Sequence, residues 1–61
     1  MIFDEKDVEI TTHSTDHGVD TLYLRHKPSH LQVIVECRPR TATFFYRMEG
    51  LEILKAMVEA Q

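Results

Sequence analysis

The chain reads as an α+β domain: a small antiparallel β-meander of three to four strands, followed by one C-terminal amphipathic helix packed on one sheet face. Three observations predict this. Up to about residue 48, apolar residues alternate with period two in short runs separated by turn formers. Beyond it, Leu51, Ile53, Leu54, Met57 and Val58 fall within roughly 160° at about 100° per residue, which makes one apolar stripe. And 61 residues suffice for a single domain, 1–61, with one sheet layer and one helix layer.

Taken in order, Val8, Ile10 and Thr12 alternate with Glu9, Thr11 and His13 and give a first strand over about residues 7–13. Ser14-Thr15-Asp16-His17-Gly18-Val19-Asp20 is rich in turn formers and reads as a loop. Leu22 and Leu24 then alternate with Tyr23 and Arg25 over residues 21–26, until Lys27-Pro28-Ser29-His30 interrupts with a proline that cannot donate to a ladder. The third strand, 31–37, is the clearest. Leu31, Val33, Val35 and Cys37 form one face, and Gln32, Ile34, Glu36 and Arg38 the other, with β-branched residues at its centre.

Residues 42–48 read as a fourth strand on the aromatic content of Thr43-Phe44-Phe45-Tyr46-Arg47, although aromatics on both parities leave its register open. The helix follows, roughly eleven residues long, with Glu49 and Glu52 near its positive end and Gly50 in the capping position. Val8, Ile10, Leu22, Leu24, Leu31, Val33, Val35 and Cys37 are expected beneath it.

Charge is strongly partitioned. Residues 1–20 hold six acids against Lys6, residues 21–48 hold five basic side chains against Glu36, and residues 49–61 hold three acids against Lys55. The segment charges of −5, +4 and −2 give the formal −3. The basic centre places Arg25, Lys27, Arg38, Arg40 and Arg47 among aromatic side chains, the residue types that neutralise phosphates and stack bases, so these five are the candidate nucleic-acid contacts. Against that use stand the net charge of −3 and a pI near 5.7.

Two His-x-x-x-His spacings, His13/His17 and His26/His30, together with Asp16 and Cys37, contain zinc-ligand types. In a meander, however, successive loops lie at opposite ends of strands roughly 20 Å long. The two pairs should not converge; the histidines are read as solvated strand-end and loop residues, and no metal is expected. His13-Ser14-Thr15-Asp16-His17 holds nucleophile, base and acid types in a row, but a catalytic constellation needs groups facing one another, and the segment reads as a polar turn. The chain's one cysteine continues the Val33–Val35 parity and reads as a buried apolar residue rather than a reactive thiol. Without a phosphate loop or dinucleotide fingerprint, no cofactor and no catalytic residue are expected, and the chain is read as not an enzyme.

No stretch approaches the ~20 apolar residues of a membrane span. The lone thiol and the lack of a signal-peptide pattern lead to the expectation of a soluble cytoplasmic protein without membrane partners. One short helix covers one sheet face only, and the other should present Tyr23, Ile34, Glu36 and Phe45 as a protein interface with an apolar centre and a charged rim. The functional expectation is therefore a small non-catalytic interaction or regulatory module, of the kind found among phage-type accessory proteins, self-associating through the sheet face opposite the helix or binding a host protein. Nucleic-acid binding through segment 21–48 is the alternative.

Overall fold

Asp4 organises the first turn of the chain: its carboxylate accepts from the Lys6 N–H at 3.0 Å and caps the 3-10 turn Glu5–Asp7. The Asp7 carbonyl then accepts from the Lys27 N–H at 3.0 Å and opens the first strand ladder. In the computed structural model, which describes residues 2–14, 20–38 and 42–61, β1 (Val8–Ser14), β2 (Asp20–His26) and β3 (Gln32–Cys37) are followed by the helix α1 (Thr43–Glu59). The sheet order is β1-β2-β3, antiparallel throughout. This is the meander plus helix that the alternation predicts, with strand ends within one residue of those expected.

Local chemistry closes both hairpins. The Ser14 hydroxyl donates to the Asp20 carboxylate at 2.8 Å across the mouth of the first. In the second, the His26 N–H donates to the Leu31 carbonyl at 2.8 Å and the His30 N–H to the His26 carbonyl at 2.9 Å. Pro28 lies inside this turn, where no ladder donor is missed. His30 completes it at φ 63°, a left-handed conformation that histidine adopts more readily than most side chains.

The fourth strand is corrected. Residues 43–48 form the first turns of α1, which is 17 residues long. Tyr46, Gly50, Leu54 and Val58 recur every four residues, so the helical stripe begins inside the aromatic run, and aromatics on both parities are the mark of a segment without period two. Gly50 is consequently not a cap but an interior, buried residue of the helix. The position before the helix is Ala42, which makes no side-chain capping bond.

Register builds the core. Ile10 pairs with Leu24, Leu24 with Val33 and Leu22 with Val35, so these side chains share one sheet face. Leu22, Leu24, Val33 and Cys37 are buried there beneath Leu54 and Val58, while Phe3, Val8, Ile10, Leu31, Val35, Tyr46 and Leu51 pack around them. The position of α1 over the sheet is set by Gly50. A Cβ at that residue would lie 2.9 Å from Leu24 Cδ1 and 3.2 Å from Val35 Cγ2; at Gly50 the helix therefore lies above the gap between β2 and β3.

Candidate interaction surface

The sheet face away from α1 is an array set by strand register. Its rows are Glu9–Arg25–Gln32, Thr11–Tyr23–Ile34 and His13–Thr21–Glu36. Only the middle row has an apolar centre. Tyr23 is half-buried, with the His13 ring edge-on at 5.0 Å, and Ile34 is 57 % exposed. Arg25 lies in register with Glu9, and its Nη2 donates to His30 Nδ1 at 3.3 Å; arginine has no acceptor, so the imidazole nitrogen accepts. Tyr23, Ile34 and Glu36 thus share the face expected of them. Phe45 does not: it projects from α1 on the other layer of the molecule and is 66 % exposed.

The basic residues are also separated. Arg25 is on the open sheet face, Arg47 on α1 beside Ile10, Thr12 and Leu22, Lys27 in the β2–β3 turn and Arg38 just past the far end of β3. A six-residue strand holds its two ends roughly 20 Å apart. Arg40, and likewise His17 and Asp16, lie outside the described residues.

Among the described residues, no group of three or more His, Cys, Asp or Glu side chains converges as metal ligands would. His13 stands near one end of the sheet and His26 and His30 at the other. His26 corrects the expectation of a solvated side chain. It is 1 % exposed, with its ring stacked 5.7 Å from that of Phe3. Its Nδ1 contacts Ser29 Oγ at 2.7 Å and the Ser29 N–H at 3.3 Å, which ties the turn to the core, while Nε2 has no hydrogen-bond partner among the described residues. Register could have revealed this: residue 26 continues the Leu22–Leu24 parity. Cys37 is buried as expected, and burial, reinforced by the Asp20 carboxylate paired with it across the ladder, pushes its thiol above the ordinary value of 9.0.

Most of the exposed large apolar side chains among the described residues are on α1. With Gly50, Leu54 and Val58 turned to the sheet, the helix leaves two flanks that sequence periodicity assigned partly to the core. Phe44, Met48 and Leu51 form one, and they line open hollows with Phe3 on one side and with Ile10 and Thr12 of β1 on the other. Tyr46, Ile53 and Met57 lie a half-turn away around the helix and therefore overhang β3. Ile53 is 45 % and Met57 36 % exposed. The reason for the difference from expectation is the earlier helix start, which places Gly50 in the packing stripe and rotates the contact away from Ile53 and Met57.

No protein-family model, curated protein or solved structure matches this chain. No helix of the described residues is long and apolar enough to cross a membrane.

Proposed function

We propose that this chain is a small non-catalytic interaction module that works by joining protein surfaces, its first partner being a second copy of itself. One observation carries the reading: a helix with Phe44, Phe45, Met48, Ile53 and Met57 all exposed to a third or more of their surface. A helix that is apolar on several sides is normally covered on several sides, and contiguous exposed apolar surface marks contact sites. The open sheet face contributes less, because its Tyr23–Ile34 row is bordered by charged and polar rows.

Nucleic-acid binding through Arg25, Lys27, Arg38, Arg40 and Arg47 is the weaker alternative for a geometric reason: a phosphate track needs its cations on one surface, and Arg25 and Arg47 stand on different layers. A cytoplasmic setting fits the single buried thiol, since unpaired cysteines suit reducing compartments.

Sedimentation velocity from low to high micromolar concentration, at low and high salt, tests the proposal. Self-association that persists at high salt is expected, because apolar burial is screened far less than phosphate neutralisation. A chain that stays monomeric but binds an oligonucleotide, with affinity collapsing as salt rises, would replace this reading with the alternative.

A further inference from the structure

Among the described residues, no strand pairs with the outer edge of β1 or of β3. The two edges are not equivalent, because α1 overhangs only one of them. Hydrogen-bond phase defines what the β3 edge offers. The Leu31 carbonyl accepts from His26, so the odd residues of β3 direct their amides to β2, and Gln32, Ile34 and Glu36 direct theirs outward. The edge is short on the usual protections: Gln32–Cys37 contains no proline or lysine, and its only charge is Glu36.

We propose that two copies of this chain pair antiparallel along β3, forming one continuous sheet with both helices on the same face. This rests on the self-association reading and locates it on the flank of α1 that carries Ile53 and Met57. A two-fold axis at Ile34 sets Ile34 against Ile34 of the second copy and Gln32 against its Glu36, each pair exchanging two backbone hydrogen bonds. On the inner face the same register brings Val33 to Val35 and Leu31 to Cys37, so apolar meets apolar and strand parity is preserved.

Helix spacing selects this edge. Neighbouring strands lie about 4.8 Å apart, and Gly50 places α1 over the gap between β2 and β3. At the level of Gly50, pairing along β3 then sets the two helices roughly 10 Å apart, at the upper end of the 8–10 Å of packed helices. Pairing along β1 would hold them roughly 19 Å apart, with no contact. At the closer spacing Tyr46, Ile53 and Met57 meet their counterparts, while the exposed Glu49 remains at the solvent side of the seam.

The full chain is tested by light scattering together with concentration-dependent amide exchange. The N–H groups of Gln32, Ile34 and Glu36 should become protected as the dimer forms. Ile34→Pro removes an outward donor and no bond to β2, so circular dichroism should be retained while the dimer Kd rises at least about tenfold; Ile53→Glu should weaken the dimer comparably through the helix seam. Thr12→Pro, at an outward position of β1, should leave it unchanged. A dimer whose three amides stay unprotected and which tolerates Ile34→Pro would overturn edge pairing while keeping self-association. A chain monomeric at every concentration would overturn both.

Discussion

His26 couples the β2–β3 turn to the core through a ring that is buried against Phe3 and bonded to Ser29 on one side only. A buried ring nitrogen with no partner among the described residues carries an uncompensated desolvation cost. Two substitutions separate these contributions. His26→Ala removes the ring, leaves a cavity and should lower the unfolding free energy by about 3 kcal/mol in chemical denaturation. His26→Phe keeps the stacking partner, removes the orphan nitrogen and loses Ser29, and should stay within about 1 kcal/mol of the parent. Equal losses in both would mean that the Ser29 contact dominates. Cys37 yields a pH prediction. Its thiol is raised in the folded chain by burial and then by Asp20, so the folded state holds that proton more tightly than the unfolded state. The associated stability is complete below pH 9.0, the ordinary thiol value, and is lost as pH climbs through the folded-state value. Melting temperatures should therefore fall more steeply on the alkaline side for the parent than for Cys37→Ala.

At the scale of elements, α1 approaches the sheet closely at Gly50. Any side chain there meets Leu24, which is wholly buried, and Val35. Gly50→Val should destabilise by about 2–3 kcal/mol through overpacking, despite the better helix propensity of valine; a thermal melt unchanged from the parent would mean that the helix can lift without loss. The same residue explains what was legible in the sequence. Alternation was readable because each strand turns one face to the helix: β2 and β3 bury inner residues and β1 half-buries Val8 and Ile10 around the exposed Glu9, and period two survives wherever burial is one-sided. The start of α1 was not. Phe44, Phe45 and Tyr46 favour strands by propensity, and the packing that overrides propensity runs through a residue with no side chain to register in a hydrophobic pattern. Of the surface residues, Tyr23, Ile34 and Glu36 followed from strand parity, whereas Phe45, Ile53 and Met57 depended on the helix phase and were misplaced with it.

For the whole molecule, small size sets the terms. A chain of 61 residues buries a modest fraction of its surface, and its single thiol forms no internal crosslink. Association would then supply part of the folding free energy by mass action. The melting temperature of the parent should rise steadily with protein concentration, and that of Ile34→Pro should be flat. A parent whose melting temperature is independent of concentration over the range where it sediments as a dimer would mean that the copies separate before they unfold.

The order of elements along the chain has a bearing on biosynthesis. All three strands precede the helix that covers them, so a ribosome delivers the hairpins first. Until Leu54 and Val58 have emerged, Leu22, Leu24 and Val33 face water or whatever else is near, and such exposed apolar strands are what chaperones bind and aggregates recruit. The interval is brief at about 5–20 residues per second, but it makes the downstream helix the step that turns a sticky nascent sheet into a covered, folded domain.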